Sequence, residues 1–252
     1  MLELHAVSKR FGGHRAVDSV SFRVARGTVT GLIGPNGAGK TTVFNLVAGA
    51  LRPSEGRITL DGERLDGLPA HRVLGRGLGR TFQVPRPFPA MTVLENVMLA
   101  RARQRGERFW WNWLGPGAVA AEERATMVRA RELLAFVGLD RWAGEPARVL
   151  SGGQRKLLEL ARVLMAEPRL ILLDEPAAGV SPALVEAIEG RIDELHRRGV
   201  TFLVIEHNLE VVMRLCRPVL VMASGALLLE GDPEAVRADP RVVEAYLGGP
   251  PE

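Results

Sequence analysis

The stretch Gly34-Pro35-Asn36-Gly37-Ala38-Gly39-Lys40-Thr41-Thr42 carries residue types and a spacing suited to holding phosphate. From Gly34 to Thr41 it satisfies G-x-x-x-x-G-K-[ST] at every fixed position. Its glycines let successive backbone N–H groups turn inward around a β-phosphate without a side chain intruding. Lys40 supplies a compact charge to the β- and γ-phosphates, and the Thr41 hydroxyl can ligate Mg²⁺. Of 33 basic residues only Lys9, Lys40 and Lys156 are lysine, yet a lysine stands where a point charge is wanted. The flanks fit as well: Thr28–Ile33 reads as a strand entering the loop and Val43–Ala48 as a helix leaving it, whose positive end adds to the anion site.

A second set of groups lies downstream. Leu170-Ile171-Leu172-Leu173-Asp174-Glu175 is an apolar strand ending in two carboxylates, at the edge where open α/β sheets bind ligands. Asp174 is expected to orient Mg²⁺ or its waters, and Glu175 to take a proton from an attacking water. An apolar strand before two acids is common by itself; following a complete phosphate loop, it reads as the other half of a hydrolytic site. Ser151-Gly152-Gly153-Gln154 opens a helix-forming run with a capping hydroxyl and a second anion-binding end. Two such ends on one fold would compete for the same phosphates. The economical solution is a head-to-tail dimer in which this segment covers the γ-phosphate held by the other subunit. An ordinary N-capped helix is the alternative.

The elements that position these residues alternate. Strands are expected at Leu2–Val7, Ser19–Val24, Arg57–Leu60 and Thr201–Ile205, and helices at Pro182–Arg198 and Leu209–Leu215, implying a largely parallel sheet covered on both faces. Between Pro85 and Leu150 the texture turns helical, notably at Val93–Arg103 and Ala118–Phe136, as expected of a subdomain inserted into the α/β core. The 252 residues, 46% hydrophobic, suffice for a substantial core. No apolar run approaches the roughly 20 residues needed to cross a bilayer, and Met1–His5 lacks the features of a signal peptide, so a cytoplasmic location is expected. Cys216 is the only cysteine, excluding an internal disulfide or a Cys-based zinc site, and its apolar setting suggests a core residue. The net charge of +4 comes from scattered arginines rather than a cluster, which argues against nucleic acid as a partner.

Together these segments resemble the ABC ATPases. The resemblance spans nearly the whole chain: the Walker A loop Gly34–Thr41, the signature Leu150–Gln154, the Walker B segment Leu170–Glu175, a Q-loop Gln83 in Arg80-Thr81-Phe82-Gln83, and an H-loop His207 after Glu206. It implies a P-loop NTPase (RecA-like) α/β core with an N-terminal antiparallel β subdomain and an inserted helical subdomain. That is one ABC domain over 1–252, with 1–85 and 151–252 as core and 86–150 as the helical part. It further implies that Gln83 senses Mg²⁺ and the attacking water, that His207 contacts the γ-phosphate, and that Phe11 stacks on adenine; a core phenylalanine is the alternative for Phe11. The chain departs from the family after Walker B, where Ala178-Gly179-Val180-Ser181-Pro182 has no aspartate closing its D-loop.

Finer features are similar to the branched-chain amino-acid importer ATPases: Gly79–Gln83, Phe88–Val97, Asp174–Gly179 and Asp239–Gly248. This implies an ATP- and Mg²⁺-dependent homodimer or heterodimer of ATPases on the inner face of the membrane. It would sit beneath two transmembrane permease subunits fed by an external substrate-binding protein. ATPases of urea or amide import and of lipopolysaccharide export look similar, and soluble non-transport ABC ATPases form a further alternative. The insert Arg101–Gly117 interleaves arginines with Phe109, Trp110, Trp111 and Trp113. Packing on its own surface and contact with a membrane partner or lipid headgroups both fit that pattern.

Overall fold

The computed structural model describes residues 1–81, 85–102 and 116–247. Gln83 and most of the Arg101–Gly117 insert, including its three tryptophans, therefore lie outside the described residues. The strands are β1 (Leu2–Phe11), β2 (His14–Val24), β3 (Val29–Ile33), β4 (Glu55–Leu60), β5 (Glu63–Arg64), β6 (Leu78–Arg80), β7 (Leu170–Asp174), β8 (Thr201–Ile205), β9 (Val219–Ala223) and β10 (Ala226–Gly231). The helices are α1 (Lys40–Val47), α2 (Ala70–Leu74), α3 (Val93–Met98), α4 (Pro116–Phe136), α5 (Gly152–Met165), α6 (Pro182–Arg197), α7 (Leu209–Leu215), α8 (Pro233–Ala238) and α9 (Pro240–Leu247). They fall into two compact units, the first made of Met1–Arg80, Arg169–Ala178 and Ile192–Glu252, the second of Thr81–Pro168 and Gly179–Arg191.

The first unit holds two sheets. The smaller is antiparallel, in the order β2-β1-β4-β5, and corresponds to the expected N-terminal β subdomain. Its first two strands extend beyond the Leu2–Val7 and Ser19–Val24 patterns because they join in a hairpin, with Phe11 opposite His14. The larger sheet runs β10-β9-β3-β8-β7-β6, parallel except for the edge strand β10. β3, β7 and β8 are buried at every residue. Such unbroken apolar strands are what a parallel sheet covered on both faces demands. α1 lies in the core of this unit through Val43, Phe44 and Val47, which share one cluster with Leu4 and Leu60 of the small sheet and Leu32, Leu172 and Leu203 of the large one.

The second unit is helical, built on mutual packing of α3, α4 and α5. It runs past the expected end at Leu150, because α5 buries Leu157, Leu158, Ala161 and Leu164 and packs on the other two helices. α3 begins with a capping box, Thr92 with Glu95. Buried Asn96 accepts from Phe88 N–H at 2.8 Å and donates to the Phe88 and Thr92 carbonyls at 3.1 and 2.9 Å, fixing the loop before the helix. The helix stops at Met98, short of the expected Arg103. The chain turns there while Arg101 donates to Thr126 Oγ1 on α4 at 2.5 Å. Among the described residues no helix is long and apolar enough to cross a membrane.

Candidate active site

The phosphate loop sits between β3 and α1, in the first unit. Gly34 has φ +149°, and a Cβ there would lie 2.1 Å from the Met222 carbonyl oxygen at the end of β9. No side chain fits, because the obstacle is backbone. The loop therefore packs its outer wall on β9, while Asn36, Gly37 and Thr41 are exposed. α1 starts at Lys40, with Gly39 as its N-cap, so the helix N-terminus opens onto the loop. Lys40 is buried, and its Nζ donates to the carbonyls of Gly34 at 2.7 Å and Pro35 at 2.9 Å. Burial holds its pKa below the ordinary lysine value, while the nearby carboxylates of Glu175 and Asp174 pull the other way.

The acids are delivered by the parallel register, which sets Asp174 of β7 beside Ile205 of β8. Glu175 follows with φ +50°, an uncommon conformation for a residue with a side chain, and its N–H donates to the Ile205 carbonyl at 2.9 Å. Its Oε1 lies 2.7 Å from His207 Nε2, so the structure brings these two residues together. Asp174, buried, is paired with Arg80 at 3.0 Å. Glu206, between Ile205 and His207, was not among the site residues expected from sequence. It is buried, accepts Ala177 N–H at 2.7 Å and His207 N–H at 3.1 Å, and so holds the turns after both strands. The available signal was its place after four apolar residues, Phe202–Ile205, the pattern that marks Asp174 after Leu170–Leu173. Tyr246 of α9 was also missed: its phenol meets the Gly34 backbone. Burial raises its pKa, and that hydrogen bond opposes the shift.

Phe11 is 48% exposed at the tip of the β1–β2 hairpin, with Lys9 Nζ 5.2 Å from its ring centroid. That exposure excludes the core reading and leaves a ring surface available to a planar base. Ser151, Gly152, Gly153 and Gln154 belong to the second unit. Ser151 caps α5, accepting from Gln154 N–H at 3.3 Å, while its own N–H donates to Gln154 Oε1 at 2.8 Å. A hydroxyl that accepts one hydrogen bond can still donate another, so the cap does not consume the Ser151 proton. A Cβ on Gly153 would fall 1.9 Å from Leu184 Cδ2, so this glycine permits close packing against α6. Gln83, expected at the metal and water, lies outside the described residues.

Taken together, the first unit can cradle an anion, present a strand-end carboxylate to a water, and offer an aromatic surface to a base. Residues 17–178 match the family described as ABC transporter, and residues 226–251 match the branched-chain amino acid ATP-binding cassette transporter family. The high-affinity branched-chain amino acid transport ATP-binding protein BraF of Pseudomonas aeruginosa is 41% identical, covering 98% of each chain. A probable branched-chain amino acid transport ATP-binding protein, LivG of Archaeoglobus fulgidus, is 40% identical over 98% of this chain and 95% of its own. Two solved structures superpose with a TM-score of 0.85 over 99% of each chain: a nucleotide-free ATP-binding cassette from an ABC transporter at 37% identity, and an ADP conformation of such a cassette at 36%.

Proposed function

The chain belongs to the ATP-binding subunits of ABC transporters, and we propose that it couples ATP hydrolysis to the import of branched-chain amino acids. The observation that carries hydrolysis is the Glu175–His207 pair at the strand ends, in the same unit as the phosphate loop. The match of residues 226–251 to the branched-chain family supports the substrate class, as do the names of relatives such as BraF and LivG.

On this reading the ATP phosphates enter the Gly34–Thr42 cradle, and Lys40 exchanges the Gly34 and Pro35 carbonyls for the β- and γ-phosphates. Phe11 stacks on the adenine. Glu175 takes the proton of a water as its oxygen bonds to the γ-phosphorus and the bond to the β–γ bridging oxygen breaks. His207 holds the Glu175 carboxylate in place and contacts the γ-phosphate. Thr41 and Asp174 fit Mg²⁺; Gln83, which the family resemblance adds to them, lies outside the described residues. Thr41 and Asp174 offer one hydroxyl and one carboxylate, and no group of three or more His, Cys, Asp or Glu residues among the described residues forms a dedicated metal cage. A hard cation that keeps waters and nucleotide oxygens suits that sparse set. When bound it shields the phosphate charge from the incoming water.

Ser151, Gly152, Gly153 and Gln154 cover the γ-phosphate of a second ATPase, identical or not, arranged head to tail. The pair works at the inner face of the membrane beneath permease subunits that receive substrate from an external binding protein. Reconstitution with co-expressed permease subunits in liposomes tests this. ATP-dependent uptake of labelled leucine, isoleucine or valine is expected. Uptake of urea or an amide instead would overturn the substrate assignment, while leaving the ATPase assignment standing.

A further inference from the structure

β6 ends on Arg80, a residue the proposed mechanism does not use. Its side chain is 12% exposed. Nη1 donates to Asn45 Oδ1 on α1 at 2.7 Å, and Nη2 donates to Asp174 Oδ2 at 3.0 Å. The guanidinium carbon lies 5.9 Å from the centroid of Phe44, which is fully buried on α1. β6 pairs in parallel with β7, Arg80 beside Leu172, so its side chain reaches Asp174 from the neighbouring strand. Asn45 is itself anchored, its carbonyl accepting from Ala50 and Leu51 N–H at 2.9 and 3.0 Å. One planar fork thus spans the helix that follows the phosphate loop and the carboxylate that ends β7. A guanidinium suits this bridge because its donors diverge in a fixed plane, whereas an ammonium cannot hold both oxygens in one geometry.

We propose that Arg80 is a positioning residue for the metal–nucleotide complex, fixing the rotation of the Asp174 carboxylate and its distance from α1. The inference rests on the reading that Asp174 faces Mg²⁺. Mg²⁺ demands near-ideal octahedral geometry, so a carboxylate free to rotate penalises it more than a cation of looser coordination. The electrostatic effect alone has the opposite sign, because a nearby guanidinium repels a cation. Removing Arg80 therefore separates positioning from simple neutralisation by direction.

The test titrates Mg²⁺, and separately Ca²⁺, into the purified chain with a fluorescent ADP analogue, with an EDTA arm for metal-free affinity and a thermal melt without nucleotide. For Arg80→Met the Mg²⁺ concentration at half-effect should rise about tenfold, that of Ca²⁺ should rise much less, and EDTA affinity should change less than about twofold. Arg80→Lys should restore little, although it keeps the charge. Asn45→Ala, which leaves the contact with Asp174, should shift Mg²⁺ in the same direction by a smaller factor and decides the matter if Arg80→Met does not fold. An unchanged or lowered Mg²⁺ half-effect overturns the proposal, leaving Arg80 as a structural tie or a counter-ion. If the wild-type chain shows no Mg²⁺ dependence of nucleotide affinity, the reading of Asp174 fails first.

Discussion

Glu175 and His207 meet at 2.7 Å across the carboxyl ends of neighbouring parallel strands, each one residue or two beyond the register pair Asp174–Ile205. The contact depends on a backbone bend at Glu175, φ +50°, which turns its side chain away from the strand's alternation. Such a conformation costs on the order of 1 kcal/mol or more and persists only where surroundings enforce it. Here the enforcing groups are visible: Glu175 N–H is bound to the Ile205 carbonyl, and Glu206 accepts Ala177 N–H two residues on. Two strand-end acids therefore divide the labour. Glu206 is buried and holds turns, while Glu175 carries the histidine contact.

From that arrangement Glu175→Gln is expected to bind ATP normally and to lose about 10²–10⁴-fold in turnover, the usual contribution of a general base. The amide is isosteric and can still reach His207, so the fold should be unaffected. An ATP-bound dimer should accumulate and elute early in size-exclusion chromatography. Turnover within a few-fold of wild type would remove Glu175 from the role of base.

Ser151 caps α5, and under the proposed function it also meets a neighbour's phosphate. Ser151→Ala should lower stability by about 0.5–2 kcal/mol through the lost cap and should also lower ATPase. Ser151→Asp keeps a good N-cap but sets a negative charge against phosphate. It should melt near the wild-type temperature and still be inactive, with monomer affinity for ATP nearly unchanged. Activity that follows melting temperature across both variants would leave Ser151 as a cap alone.

Much of this architecture is legible in the sequence wherever the signal is local. Thr201–Ile205 and Leu209–Leu215 carry their strand and helix residue for residue, because the first holds four consecutive apolar residues and the second opens after the capping residue Asn208. Gly34–Thr41 stands out for the same reason, since the expected anion cradle is a run of consecutive residues. Long-range relationships are not legible. β6 has three residues and, among the described residues, pairs with β7 alone, so nothing in Leu78-Gly79-Arg80 announces a strand or a bond to Asp174 some ninety positions away. The end of α3 likewise follows from Arg101 reaching α4 rather than from any breaker near Met98. Tyr246 meets Gly34 only because α9 folds back onto the unit that begins the chain.

Phe11 gives a prediction about base binding. Being half exposed, it contributes little to the core, so Phe11→Ala should leave the melting temperature within a few degrees of wild type. Loss of a stacking surface should weaken ATP by about 1–3 kcal/mol, seen as a raised KM with kcat at saturation preserved. Titration with ATP and melting of the same sample are the checks. A large thermal loss with unchanged KM would make the ring structural.

Cys216 supplies a prediction for alkaline pH. The thiol is buried against β3, where a Cβ on Gly31 would lie 3.0 Å from Cys216 Cβ. Burial first, and the Glu206 carboxylate second, push its pKa up to about 12. An unfolded cysteine titrates near 8.5. Because the folded value is the higher one, the stability contribution is complete below about pH 8.5 and is lost as pH rises through the window up to about 12. With one proton bound by the folded state and progressively released by the unfolded state, about 1.5 kcal/mol should be lost between pH 8.5 and 10. Urea unfolding of wild type against Cys216→Ala at the two pH values isolates this slope from other titrating groups. The variant starts lower, having lost a packed side chain, but should decline less steeply. The native thiol should also resist alkylation at pH 8 and react once the chain is unfolded. Equal slopes in the two proteins, or prompt native alkylation, would show that the thiol is not shielded from solvent in the way its packing on β3 requires.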